Sequence, residues 1–216
     1  MLEDGSVYEG TARGDFKETA CEIVFNTSMT GYVEILTDPS YAGQGVVMTY
    51  PMIGNYGISR EDFESERLQP SAFIVHELSS DPSNFRCTDT IENLLKEYNI
   101  PCISGVDTRA VVKKLRESGT MRGVLTSDIS DRERLMDVIK SFRQIDLVGS
   151  VTAKQTKVYG EKNTGAEIAL MDFGTKRNII NNLVKRNCIV TVYPSFTSAD
   201  EIIKTSPDGI MLSNGP

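Results

Sequence analysis

The residues best suited to nucleophilic or metal chemistry are a single histidine, His76, and four scattered cysteines. The cysteines are Cys21, Cys87, Cys102 and Cys188, and no two of them form a Cys-x-x-Cys pair. A cysteine nucleophile needs a partner base and a turn that exposes the thiolate, and none of the four has that context. We therefore predict no metal site. We interpret His76 as a structural histidine, with an interface or site role as the alternative.

Two short motifs follow predicted strands and could bind a ligand through the backbone. Residues 172–174 read Asp-Phe-Gly, and residues 213–216 read Ser-Asn-Gly-Pro. Gly215 allows a ligand to approach the main chain closely, and backbone N–H groups beside it could form an oxyanion hole. An ordinary turn is the preferred interpretation of both motifs, and a ligand-binding loop is the alternative. A kinase interpretation of Asp-Phe-Gly is rejected because the sequence has no Gly-rich phosphate loop, Val-Ala-Ile-Lys or His-Arg-Asp.

The elements that must position these motifs form a β-α-β-α-β pattern. The apolar run 168–171 is typical of a strand buried on both faces. A helix is predicted over 176–186, a strand over 188–193, a short helix after the capping box at 198–201, and a strand over 210–212. This order predicts the first part of a doubly wound parallel sheet, in which ligands bind beyond the carboxyl ends of the strands.

The first part of the chain is predicted to be a β-rich α/β domain. Strands are predicted at 6–10, 22–26, 46–50, 71–75 and 100–104. Helices are predicted at 90–98, from Asp107 to Ser118, and after a capping box at 130–133. Residues between about 148 and 164 carry too little apolar surface to fold alone. We therefore expect domains at 1–147 and 166–216, joined by a linker at 148–165.

Composition excludes several classes of protein. The chain has 216 residues, 39% hydrophobic content and a net charge of −7, with no basic stripe that could follow a phosphate backbone. We therefore expect no nucleic-acid partner. No run approaches the roughly 18 apolar residues of a membrane helix, and the N-terminus has no signal-peptide pattern. We expect a cytoplasmic protein with reduced thiols and no membrane association.

Read together, several segments resemble the small subunit of carbamoyl-phosphate synthase. The resemblance runs in the family's order along the whole chain. It rests on residues 4–10, 25–32, 34–41, 49–57, 103–110, 119–123, 172–179 and 212–216. Two of these blocks read Phe-Asn-Thr-Ser-Met-Thr-Gly-Tyr at 25–32 and Leu-Ser-Asn-Gly-Pro at 212–216.

The resemblance implies a two-domain subunit of a heterodimeric ligase. Its N-terminal domain would pack against a large synthetase subunit. Its C-terminal domain would be a class I glutamine amidotransferase that passes ammonia to that subunit, where ATP and Mg²⁺ would be bound; no cofactor is expected in this chain. Two positions carry over as glutamine-binding residues. Ser40 matches a serine that reaches the glutamine, and Gly215 matches the first glycine of a Gly-Pro-Gly loop.

The family's nucleophile lies in a Gly-x-Cys-x-Gly-x-Gln elbow downstream of that loop, with histidine and glutamate later still. We expect these catalytic residues to lie beyond Pro216, with the amidotransferase domain incomplete and the chain truncated before the elbow. Removing only the nucleophile of a hydrolase typically costs about 10⁶ in rate, so we predict no glutaminase activity for this polypeptide alone.

Three alternatives remain open at this point. The chain could be a catalytically silent docking module for the large subunit, and the sequence encoded after Pro216 would discriminate. A weaker alternative is a nucleotide-binding α/β protein that uses the Asp-Phe-Gly turn. The parent could also have lost the cysteine and use free ammonia. Arginine and pyrimidine biosynthesis are equally compatible with the resemblance.

Overall fold

The computed structural model describes residues 1–144 and 146–216. The chain divides into two compact units. Unit 1 comprises Met1–Thr37 and Gly43–Gln144, and unit 2 comprises Asp38–Ala42 and Ile145–Pro216. The short segment Asp38–Ala42 therefore belongs to unit 2, although the residues on both sides of it belong to unit 1.

Unit 1 is a mixed α/β domain. Its strands are β1 (Thr11–Gly14), β2 (Thr19–Asn26), β3 (Gln44–Met48), β4 (Met52–Ile53), β5 (Ala72–Ile74), β6 (Glu77–Leu78), β7 (Pro101–Ser104) and β8 (Met121–Leu125). Its helices are α1 (Tyr32–Thr37), α2 (Ile91–Glu97), α3 (Thr108–Ser118) and α4 (Arg132–Ser141), with a 3-10 turn at Arg60–Asp62.

The main sheet of unit 1 has the order β1-β7-β5-β3-β2-β8 among the described residues. The four inner strands run parallel, and β1 and β8 pair antiparallel at the edges. Helix α3 packs against β2 and β3. Its inward residues Val111 and Leu115 join a core with Ile23 and Val47. The four-residue spacing on the helix and the alternation on the strands bring these side chains to one interface.

Unit 2 is built on a four-stranded sheet. Its strands are β9 (Lys157–Tyr159), β10 (Glu167–Asp172), β11 (Ile189–Pro194) and β12 (Gly209–Leu212), in the order β12-β10-β11-β9. Its helices are α5 (Leu147–Val151), α6 (Arg177–Lys185) and α7 (Ala199–Ile203), with a 3-10 turn at Pro39–Tyr41. Strands β11 and β12 both run parallel to β10, and β9 pairs antiparallel with β11.

Both faces of strand β10 are covered. Leu170 packs with the α6 residue Ile180 on one face, and its neighbour Ala169 packs with the α7 residue Ile202 on the other. Because successive side chains of a strand point to opposite faces, the continuous apolar run was the correct signal of two-sided burial. The predicted β-α-β-α-β order and its doubly wound arrangement are confirmed.

The helix ends largely follow the predicted caps. Asp107 caps α3 by accepting a 3.0 Å hydrogen bond from the Ala110 N–H, and Gly119 follows with φ of 82°. Ser198 caps α7. The cap of α4 differs from the prediction, since Asp131 rather than Ser130 accepts the bond from the Arg134 N–H. A carboxylate one residue later fills the same role.

Two further predictions differ from the structure. Residues 6–10 form no strand; pairing with β7 begins at Thr11. A side chain on Gly10 would collide with the carbonyl of Ser104, so the backbone passes close to β7 there without pairing. The proposed linker at 148–165 instead contains most of α5 and all of β9, and the units divide at Gln144. An exposed edge strand needs little apolar surface, which is why its polar sequence resembled a linker.

Candidate functional site

The carboxyl end of β10 is organised by the side chain of Asp172. Its Oδ1 atom accepts hydrogen bonds from the N–H groups of Gly174 at 2.9 Å and Thr175 at 2.7 Å. Its Oδ2 atom accepts from the N–H of Ala153 at 2.7 Å. The Asp-Phe-Gly turn is therefore closed by its own aspartate, which uses both oxygens on backbone donors. This explains the motif as a strand-end turn, in agreement with the preferred interpretation of the sequence.

A buried threonine joins the ends of two strands. The Thr152 hydroxyl donates to the carbonyl oxygen of Asp172 at 2.5 Å and accepts from the N–H of Ser195 at 2.8 Å. Thr152 is buried, and it lies directly after helix α5. One hydroxyl thus connects the end of α5 to the last residue of β10 and to the first residue after β11. No sequence signal marked Thr152, because its partners are distant along the chain.

The Ser-Asn-Gly-Pro loop lies against the end of β10. The Ser213 hydroxyl accepts a 2.9 Å hydrogen bond from the N–H of Phe173. A Cβ atom on Gly215 would overlap the carbonyl oxygen of Phe173, so only glycine permits this approach. Gly174 has φ of 124°, and a Cβ there would lie 3.0 Å from Cβ of Pro39. The two glycines allow the loops to lie close together.

Ser40 lies in the segment of unit 2 that comes from the first part of the sequence. Its N–H donates to Oδ1 of Asp38 at 2.9 Å, which caps the short 3-10 turn. Its hydroxyl oxygen accepts a 3.0 Å hydrogen bond from Nδ2 of Asn214. Since the Ser40 hydroxyl is the acceptor in that bond, its own proton remains available for a ligand.

An ion pair supports the same turn. Nζ of Lys176 lies 2.8 Å from Oδ2 of Asp38, whose side chain is only 8% exposed. Asp38 therefore uses one oxygen on the turn and the other on the residue that precedes α6. Burial of the carboxylate makes both partners necessary, because an unpaired buried charge is costly. Sequence reasoning did not single out Asp38 or Lys176, and it quoted Asn214 only as part of the Ser-Asn-Gly-Pro motif.

The cysteines do not take part in this arrangement. Cys21 and Cys102 are completely buried, and burial raises the pKa of each thiol to about 12. Cys87 lies in unit 1, and Cys188 lies at the start of β11, away from the carboxyl end of the sheet. Nδ1 of His76 lies 3.1 Å from the carbonyl oxygen of Val106 within unit 1. The structural interpretation of His76 is compatible with this contact and stays a prediction.

The site thus combines a serine hydroxyl, a carboxamide and a glycine loop at the carboxyl ends of two parallel strands. Such groups can bind and orient a polar ligand, but they supply neither a nucleophile of low pKa nor a general base. In the part of the chain that the structure describes, no three His, Cys, Asp or Glu side chains converge as a metal site would require. None of the described helices is long and apolar enough to cross a membrane.

Two family models match the chain. The model for the carbamoyl-phosphate synthase small chain, CPSase domain, covers residues 1–125. The model for class-I glutamine amidotransferases covers residues 169–216. The first match lies within unit 1 apart from Asp38–Ala42, and the second lies within unit 2.

Curated relatives match over the full length of this chain. Proteins named carbamoyl phosphate synthase small chain are 48% identical over 217 residues in Clostridium perfringens and 46% identical over 217 residues in Listeria monocytogenes. One from Bacillus cereus is 47% identical over 216 residues. The chain spans 61%, 59% and 59% of the length of these relatives, respectively. The chain belongs to the carbamoyl-phosphate synthase small-chain family.

Proposed function

We propose that the whole protein of which this chain forms part is the glutamine-hydrolysing small subunit of a cytoplasmic carbamoyl-phosphate synthase. It would release ammonia from glutamine and pass it to a large subunit that binds ATP and Mg²⁺. Membership of the family supports the proposed glutamine hydrolysis. The names of the relatives support carbamoyl phosphate as the product. Both arginine and pyrimidine biosynthesis would use that product.

One observation carries the assignment of the glutamine site. Ser40 and Gly215 are the two positions expected to contact glutamine, and Asn214 joins them, because its side chain bonds Ser40 and its backbone leads directly into Gly215. In a class I amidotransferase such a wall would orient the substrate amide, while backbone donors of the loop would stabilise the developing oxyanion. Ser40 would act as a substrate-binding group rather than as a nucleophile.

The chain by itself fits a narrower function. Among the described residues, no cysteine takes part in the site, and burial raises the pKa of the Cys21 and Cys102 thiols to about 12, which keeps them neutral. We therefore propose that these 216 residues bind the large subunit and carry one wall of the glutamine site without hydrolysing glutamine. This narrower function corresponds to the alternative in which the chain is a catalytically silent docking module, here restricted to these 216 residues.

The whole protein, assembled with its large subunit, tests the proposal. Carbamoyl phosphate formation should proceed with either glutamine or ammonia as the nitrogen source. Ser40→Ala should lower kcat/KM for glutamine about tenfold and leave the ammonia-dependent rate unchanged, because only the glutamine site is altered. Failure of glutamine to replace ammonia in the unmodified assembly would contradict the proposed function. An equal loss with both nitrogen sources would contradict the role of Ser40.

A further inference from the structure

A shallow concavity of about 600 Å³ lies in unit 1, whereas the residues of the candidate glutamine site belong to unit 2. Thr27 and Thr49 line it, and they immediately follow the parallel strands β2 and β3. Helix α3 supplies the rest of its polar lining. The concavity therefore lies at the carboxyl ends of parallel strands, where open α/β sheets commonly bind their ligands.

Helix α3 presents three cations to this concavity. Arg109, Lys113 and Arg116 are spaced i, i+4 and i+7, which places them on one face of the helix. We refer to these three residues as the α3 basic face. All three are exposed, while the opposite face of the helix buries Val111 and Leu115. Packing in the core of unit 1 therefore explains the apolar face of α3, whereas the α3 basic face is exposed to solvent.

The α3 basic face is not neutralised within unit 1. Among the described residues, no hydrogen bond or ion pair uses the side chains of Arg109, Lys113 or Arg116. Lys114, on the same helix, differs because its Nζ lies 2.9 Å from Oδ2 of Asp4. Glu117 at the rim is the single acidic side chain that lines the concavity, so a net positive charge remains. This concentration of positive charge stands out in a chain whose net charge is −7.

We propose that the α3 basic face is the docking surface for an acidic segment of the large subunit. The inference rests on the proposed function and names the surface of unit 1 that would carry the association. Two guanidinium groups suit carboxylates because each can form paired N–H···O bonds, and the threonine hydroxyls can bond the remaining oxygens. Three exposed cations along one helix face can pair with several acidic side chains of one protein segment.

Binding of the chain to its large subunit, measured as a function of salt concentration, tests this surface. The variant R109E/K113E/R116E should weaken binding about tenfold or more and flatten the salt dependence, since electrostatic attraction mainly accelerates association. The variant R109Q/K113Q/R116Q should weaken binding to the large subunit to an intermediate extent. It also serves as a control for destabilisation of the helix by the introduced glutamates. The control K17E/R132E/K140E makes the same change in charge at exposed cations elsewhere in unit 1 and should bind like the unmodified chain.

Each outcome decides the proposal. If the unmodified chain does not bind the large subunit, the proposed function and this surface are both overturned. If the unmodified chain binds and R109E/K113E/R116E binds equally well with the same salt dependence, the surface alone is overturned. Stabilisation of the unmodified chain by inorganic phosphate, lost in the variant while subunit binding is unchanged, would identify an anion site instead and also overturn it. Equal weakening by the control variant would show a general charge effect and count against the surface.

Discussion

Nδ2 of Asn214 donates a 3.0 Å hydrogen bond to the hydroxyl oxygen of Ser40, across a separation of 174 positions in the sequence. The bond connects the loop after β12 to the 3-10 turn that Asp38 caps. Both residues belong to unit 2, so the segment Asp38–Ala42 is fixed within the amidotransferase part of the chain. The serine hydroxyl is oriented by this bond before any ligand arrives.

A double-mutant cycle should detect this contact. Ser40→Ala and Asn214→Ala should each lower the free energy of unfolding by about 0.5–1.5 kcal/mol, the usual range for a hydrogen bond that is partly open to water. The double variant should lose less than the sum of the two, because each single change already breaks the same bond. Chemical denaturation measures all four proteins. Strict additivity would show that the two side chains do not interact in solution.

The next prediction concerns the glycine of the loop. Gly215→Ala should displace residues 213–216, because the new Cβ would overlap the carbonyl oxygen of Phe173. We expect a loss of about 1–3 kcal/mol in unfolding free energy, as for other overpacked sites. Gly209→Ala is the matched control, since its Cβ would meet only the end of the Ile168 side chain, at 3.3 Å. A Gly215→Ala protein as stable as the control would show that the loop does not approach β10 closely.

The Thr152 hydroxyl gives a third prediction. Thr152→Val keeps the shape of the side chain but removes a donor to Asp172 and an acceptor for Ser195. Two backbone groups would lose their partner, and we expect a cost of about 1–3 kcal/mol. Thr152→Ser retains the hydroxyl and should cost less. Thermal unfolding compares the two variants, and a larger loss in Thr152→Ser than in Thr152→Val would indicate that the methyl group, rather than the hydroxyl, is responsible.

Thiol reactivity tests the exclusion of two cysteines as nucleophiles. At pH 8 a thiol with a pKa of about 12 is ionised in only about one molecule in 10⁴. A thiol-specific reagent should therefore label Cys87 and Cys188 in the native chain and leave Cys21 and Cys102 unmodified. Denaturation should expose all four. Rapid native labelling of Cys21 or Cys102, located by peptide mass analysis, would contradict their burial.

Much of the fold was predictable because its signals are local. Helix α6 follows from the period of its apolar residues, and β10 follows from a run that is apolar at every position. Strand β9 and helix α5 were missed because both are short and neither contains a fully buried residue, so tertiary contacts rather than composition determine their structure. Helix α1 was missed for a related reason, since only six residues form it.

The candidate site was predictable only in part. Ser40 and Gly215 were predicted from the family resemblance, which depends on short local sequence blocks, and their role in binding glutamine stays a prediction. Their supporting partners Asp38, Lys176 and Thr152 act through contacts between distant segments, such as the Lys176–Asp38 ion pair. Spacing along the chain carries no information about such contacts.

We propose that this chain carries one wall of a glutamine site without the groups that hydrolyse glutamine. Glutamate release from glutamine by the purified chain is the most direct test. We predict release equal to that of a buffer blank at every concentration of the chain. Release that rises in proportion to chain concentration, and that is abolished when Cys87 and Cys188 are alkylated, would contradict it.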